Sequence, residues 1–387
     1  MTSSDNPRHL AVLAGNGLSV AFSEELLLDR ITAEVMARLA AAHADSDAVT
    51  NAMHKVANHD LNTNAEYDFE ALIGAFGGQS NILRDLMLYA DLVDQSNETL
   101  TSSIAQVQKF VTDVQRQGVG HVLEVIAERS IAYEDESGPL RELLSEVVGA
   151  FDGHKTIANL NYDTLVLSAL MEDHKDDVCD MASGWQTGTA AVPGDFTYKI
   201  NRLRGGANEF VDWSKRPIRL VNLHGSLTFW MDTNGEQWKF PVGALRGEAL
   251  GEDPATVWDA YRRGLLPYQP LVVLANQYDK TQLVAEQPFA MGYDVFAEGL
   301  AEADHWLVIG YSFRDYCVSD RLRASFEARS TRPHVLVVTL GGSPDVATIE
   351  SALGWENTSG DSSSWLTVFR GGATALVGSA EWKKFLA

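Results

Sequence analysis

Two textures alternate along the chain. Short runs in which every position is apolar give way to longer stretches whose apolar residues recur every three or four positions. The first texture reads as strands buried on both faces, the second as amphipathic helix. The first apolar run, 9–14, ends in Gly15-Asn16-Gly17. Ser23 can then cap a helix with Leu26, Leu27, Ile31, Val35, Met36 and Leu39 on one stripe. From about residue 45 to 150 the helical period dominates, at 69–76, 81–93, 99–117, 121–130 and 139–151, with few strand signals. Alternation resumes with a strand at 155–161 and a helix at 164–173. The region 178–265 is irregular and rich in Gly and Trp. It holds a strand at 218–225 and a hairpin over 227–242 with Asn234-Gly235 at its turn. Strands at 271–275, 305–313, 334–340 and 365–370, with helices at 289–303, 320–330 and 345–353 between them, complete the pattern.

Strands that alternate with helices predict an α/β fold, here a doubly wound, mostly parallel, Rossmann-like sheet. The helical stretch is a large insertion beside that sheet. The organisation is therefore 1–44, the first β–α unit; 45–150, the helical insertion; and 151–387, the remainder of the sheet domain. The segment 356–364 is a polar loop.

Composition narrows the chemistry. The chain has 387 residues and a formal net charge of −23, which opposes a large nucleic-acid footprint, so no direct nucleic-acid binding is expected. Two cysteines, Cys179 and Cys317, cannot build a disulfide framework or a four-cysteine zinc site, so no metal is expected and both read as buried thiols. The N-terminus lacks a basic segment followed by an apolar one, and no apolar run approaches a membrane span, so the expected location is the cytoplasm.

In a doubly wound sheet, ligands bind outside the carboxyl ends of the strands. Four predicted strand ends carry polar or glycine-rich sequence. The first is Gly15-Asn16-Gly17-Leu18-Ser19, a turn that suits close approach of a pyrophosphate at a helix start. The dehydrogenase fingerprint fails there, because Val20 stands where its third glycine belongs, and Asp29 and Glu34 lie in a helix rather than at a second strand end. No ATPase phosphate-loop pattern is present. The second end holds Asn161 and Asp163, although Asp163 or Thr164 can equally cap the next helix. The third is His224-Gly225-Ser226, and a histidine before glycine can simply be a turn residue. The fourth holds Gly310, Ser312 and Asp315.

Taken in order, these motifs resemble the sirtuin family. Sirtuins carry Gly-Ala-Gly-x-Ser on the first strand, then Gln-Asn-Ile-Asp, a later His-Gly, and Gly-Thr-Ser on a further strand. The matching positions here are Gly15 to Ser19, Leu160 to Asp163, His224 to Ser226 and Gly310 to Ser312. The long helical segment is similar to bacterial sirtuin-like proteins of anti-phage systems, where an acidic position such as Glu70 opens a helix near the site. Departures are equally plain: the zinc module is absent, Asn16 replaces alanine, and the Gly-Ile-Pro-Asp-Phe-Arg loop after the serine is missing.

The resemblance implies NAD as substrate and an N-glycosyl hydrolase releasing nicotinamide and ADP-ribose, acting as a defence effector that depletes NAD. Asn161 and His224 take the catalytic positions. Gly15, Asn16, Gly17, Ser19 and Asp163 meet the dinucleotide, and Gly310 and Ser312 the adenosine ribose. It also implies a homo-oligomer and a partner such as a motor ATPase of the HerA kind or another defence subunit. The alternative is a non-catalytic sensor of NAD or ADP-ribose, or an assembly subunit. Transfer and cyclisation use the same residue types as hydrolysis.

Overall fold

Residues 7–42, 98–134, 136–192, 196–246, 255–274, 277–355 and 360–387 are described by a computed structural model. The helices expected at 69–76 and 81–93, with Glu70, lie outside these residues. The strands are β1 (Leu10–Ala14), β2 (Lys155–Asn159), β3 (Val178–Asp180), β4 (Thr187–Val192), β5 (Phe196–Arg202), β6 (Ile218–Asn222), β7 (Gly225–Asp232), β8 (Gln237–Lys239), β9 (Tyr268–Val272), β10 (His305–Ile309), β11 (His334–Val338) and β12 (Leu366–Phe369). The helices are α1 (Asn16–Phe22), α2 (Leu28–Ala42), α3 (Glu98–Glu134), α4 (Gly138–Gly149), α5 (Leu165–Asp173), α6 (Val242–Arg246), α7 (Ala255–Arg262), α8 (Gln277–Leu283), α9 (Phe289–Glu302), α10 (Tyr316–Ala328), α11 (Val346–Ala352) and α12 (Ala380–Leu386).

Seven strands form one parallel sheet in the order β12-β11-β10-β1-β2-β6-β3. Each central strand is buried on both faces, and its successive side chains enter two different cores. Leu10, Val12 and Ala14 of β1, with Leu307 and Ile309 of β10, face one core with Leu18 of α1, Ile31 and Val35 of α2 and Leu144 of α4. Ala11 and Leu13, with Trp306 and Val308, face the other with Phe296 of α9, Leu322 of α10 and Ile349 of α11. This two-sided covering is the doubly wound, Rossmann-like α/β architecture. The strand order reverses between β1 and β10, so the crevice that such sheets use lies at their carboxyl ends.

Three local expectations change. The helix after the first glycines starts at Asn16, not at Ser23. Seven residues of α1 end where the Ser23 N–H bonds Ser19 O, a single 3-10 turn follows, and α2 begins at Leu28. The segments 99–117 and 121–130 are one helix, the 37-residue α3, about 55 Å long at 1.5 Å per residue. Ion pairs from Arg38 of α2 to Glu124 and Glu128, and from Arg262 of α7 to Glu124, fasten α3 to the body. Finally, 271–275 does not extend the parallel sheet. Part of it forms β9, a half-buried edge strand of an antiparallel sheet ordered β4-β5-β8-β7-β9, whose β7–β8 hairpin turns at Asn234-Gly235 as expected.

No helix among the described residues is long and apolar enough to cross a membrane.

Candidate functional site

The four polar strand ends lie side by side at one edge. β10, β1, β2 and β6 are consecutive in the sheet and all point the same way. Asn159 of β2 pairs with Asn222 of β6, so Asn161 and His224 occupy equivalent places two residues past that pair.

The glycine turn is locked to the loop after β10. Gly15 N–H bonds Ile309 O, and Gly17 N–H bonds Gly310 O at 2.9 Å. A Cβ at Gly15 would lie 2.6 Å from Gly310 O, and one at Gly17 2.7 Å from Gly310 Cα. Gly310 itself has φ +67° and passes so close to α1 that its own Cβ would meet Leu18 N at 2.2 Å. Two backbones therefore touch here, and all three glycines have a packing role that needs no ligand. Of the positions matched to the glycine motifs, Gly17 and Ser312 are exposed, Asn16 is half-buried at the start of α1, and Gly15 is buried.

Asn161 heads one buried network. Its amide donates to Gly15 O at 3.1 Å and to Ser19 Oγ at 2.8 Å. The Ser19 hydroxyl donates onward to Asp163 Oδ2 at 2.6 Å, and Asp163 Oδ1 accepts the Leu165 N–H at 3.0 Å. Asp163 thus does what a helix-start residue does, and it also orients Ser19, which in turn fixes Asn161. Burial pushes the Asp163 carboxyl above its ordinary range, against the Ser19 hydrogen bond.

His224 heads a second network on the same edge. Its Nε2 lies 3.2 Å from Asp315 Oδ2 and 3.4 Å from the Tyr293 hydroxyl of α9. The same Asp315 oxygen accepts from Lys280 Nζ of α8 at 2.8 Å. Burial alone would raise the Asp315 carboxyl; the hydrogen bond and charge of His224, then Lys280, outweigh it and hold it well below the carboxylate range. Gly225 follows at φ +87°, where a Cβ would fall 2.1 Å from Leu271 O. The glycine of this His-Gly pair lets the chain leave β6 and enter the second sheet past β9.

Sequence reasoning placed Asp315 at this edge but gave it no role, and it passed over Lys280 and Tyr293. An acidic residue capping the helix after a strand is a legible signal, since Asp315 Oδ1 accepts the Val318 N–H. Lys280 and Tyr293 reach the site only through tertiary folding. Elsewhere, His9, His154 and Glu302 bring donor atoms within 4.8 Å of one another at the opposite edge of the sheet. There His9 Nδ1 already accepts the His154 N–H, and His154 Nδ1 bonds Glu302. A groove of about 550 Å³ between α9 and α10 is lined by Ala297, Ala301, Arg321 and Ala324 and by none of the residues matched to the four motifs.

The class defined by fold and edge is a doubly wound α/β protein with two buried polar networks at the switch-point side of its sheet. No protein-family model matches the chain, and no curated protein matches it.

Proposed function

We propose that this chain is an NAD glycohydrolase of sirtuin-like design, with Asn161 and His224 as its catalytic residues. The observation that carries the reading is the adjacency of four motif-bearing strand ends, β10, β1, β2 and β6, on the carboxyl edge that spans the topological switch. A dinucleotide laid along this edge meets the glycine turn and Gly310–Ser312 on one side, and Asn161 and His224 on the other.

The bond to be broken joins the anomeric carbon of ribose to a cationic nicotinamide. Its electron pair leaves with the nicotinamide, which departs neutral and needs no acid. Water oxygen bonds to the anomeric carbon, and its proton passes to a base. Asn161, whose two N–H donors are held by Gly15 O and Ser19, offers its amide oxygen to orient the ribose or the water. His224 is the proton acceptor. In this reading the protein depletes NAD in bacterial anti-phage defence, as an oligomer held in check until a partner or trigger acts.

The test is nicotinamide release from NAD by the purified protein, with NAD binding measured in parallel by calorimetry. Asn161→Ala and His224→Ala each lower the rate by about 100-fold or more. Wild-type rates in both variants, or a wild-type protein that neither binds nor cleaves NAD, overturn the proposal.

A further inference from the structure

Tyr293 of α9 and Asp315 before α10 meet the ring of His224 just past β6, and Lys280 of α8 joins them through Asp315. Asp315 holds the centre of this cluster with both oxygens. Oδ1 is tied to the start of α10 through the Val318 N–H at 3.3 Å, and Oδ2 faces the imidazole and the ammonium. The Asp315 carbonyl is fixed as well, by the Tyr311 hydroxyl at 2.9 Å. The carboxylate is therefore held from both oxygens, and the imidazole and the ammonium share one of them.

We infer that Asp315 is the positioning residue for His224, and that Lys280, by sharing the same oxygen, limits how strongly that carboxylate grips the imidazole. The inference rests on the NAD-cleaving role given to His224. A neutral His224 that donates its Nε2 proton to Asp315 carries its lone pair on Nδ1, so this contact sets the tautomer. Asp315 fixes both ring orientation and tautomer, and stabilises the imidazolium that results. Lys280 opposes the last effect by its charge. Among the described residues, the other ionisable groups around the cluster include Tyr293, Tyr311, Cys317, Asp320 and Arg321. Burial pushes both tyrosines far above the ordinary phenol range and raises the Cys317 thiol. Both tyrosines and the thiol are therefore neutral at physiological pH, whereas Asp315 is a charge at the ring and Lys280 acts on it through the shared carboxylate oxygen.

The sign of each perturbation follows. Asp315→Asn keeps the shape and the helix-capping acceptor, since Asn caps as well as Asp, and removes only the charge. It lowers the midpoint of His224 titration by about one unit or more. Lys280→Met removes a competing cation and moves the same midpoint upward. Titration of ring-labelled histidines by NMR, with the His224 signal identified by its loss in His224→Gln, reads both shifts without any need for turnover. The pH–rate profile of nicotinamide release reads them a second time, with the acidic limb displaced in the same two directions. Opposite shifts in the two variants support the inference. A His224 midpoint that stays put in both variants overturns it, even if NAD cleavage is confirmed. Opposite NMR shifts in a protein that leaves NAD intact keep the Asp315 grip and remove the NAD reading instead.

Discussion

Replacing the glycines of the switch-point crevice with alanine separates two reasons for their presence. If Gly17 exists only to admit a phosphate, Gly17→Ala weakens ligand binding and leaves the free protein as stable as before. The structure argues otherwise, because the added Cβ would sit 2.7 Å from Gly310 Cα and 3.0 Å from Gly310 O, both backbone atoms. Gly17 carries no left-handed backbone, so the cost is steric alone, about 1–3 kcal/mol by comparison with overpacked sites. Gly310→Ala adds a second cost. Its φ of +67° disfavours any Cβ by about 1–2 kcal/mol, and contacts of 2.2 Å to Leu18 N and 2.5 Å to Gly17 C force α1 away from the loop. Together these come to about 2–5 kcal/mol. Gly184→Ala is the internal control, because Gly184 has φ +75° with nothing within 4 Å of the added Cβ, so it loses only the backbone component. Unfolding entropy of about 2.1 cal/mol/K per residue puts a 4 kcal/mol loss at about 5 °C in a chain of 387 residues. Urea and thermal unfolding of the ligand-free variants are the assays. If Gly310→Ala costs no more than Gly184→Ala, or Gly17→Ala leaves the ligand-free protein unchanged, the close-packing account is wrong.

Two further predictions concern buried charge. Burial, reinforced by the neighbouring His334 and Arg8, lowers the His305 imidazole to about 4. The unfolded chain takes that proton near pH 6.5 and the folded chain does not, so stability present above pH 6.5 is lost as pH falls toward 4. The loss reaches about 2.5 kcal/mol by pH 4.5. His305→Phe, which fits between Phe151 and Phe385, removes this part of the acid sensitivity; equal urea midpoints for the two proteins at pH 7 and equal losses at pH 4.5 refute it. Burial would raise the Asp180 carboxyl, but Lys239 and the N–H groups of Ser183 and Ala182 hold it at about 2. Lys239→Met strands that charge and costs about 3–5 kcal/mol, whereas the double variant Lys239→Met/Asp180→Asn recovers part of the loss; additive urea-unfolding energies argue against a coupled pair.

Most of the parallel sheet was legible because its strands are largely apolar on both faces, as in LAVLA of β1 and HVLVV of β11; the three-residue β3, in the stretch read as irregular, was not. The second sheet was legible only in its β7–β8 hairpin and part of β9. Its strands β4 and β5 pair as neighbours in the chain, but they are short on apolar runs and exposed and buried positions are intermixed in β4, so no run of apolar residues marks them. The break after Phe22 was hidden because α1 and α2 share a helical period and Ser23 looks like a cap for either. The strand-end residues Asn161 and His224 could be read in sequence, because strand-then-polar is a local pattern. Their partners could not. Ser19 meets Asp163 across 144 positions and Lys280 meets Asp315 across 35, and no periodicity encodes either distance.

One loop links the two networks. Gly310 clamps the glycine turn on which Asn161 rests, and five residues later Asp315 holds His224. Between their strands, β10 and β6, lie β1 and β2, so this loop bridges roughly 14 Å of sheet edge at about 4.8 Å per strand step. It does so with Phe313 in the left-handed region at φ +60°, a conformation that costs a bulky residue about 1–3 kcal/mol. The strain is held by buried packing of Phe313 against Tyr311, with ring centroids 4.9 Å apart, and by the bond from Ser319 to the Phe313 carbonyl. A relaxed Phe313 would redirect the residues that follow it, Asp315 included. The loop thus couples the placement of the imidazole to that of the glycine turn, and the strained residue between them is where that coupling is maintained.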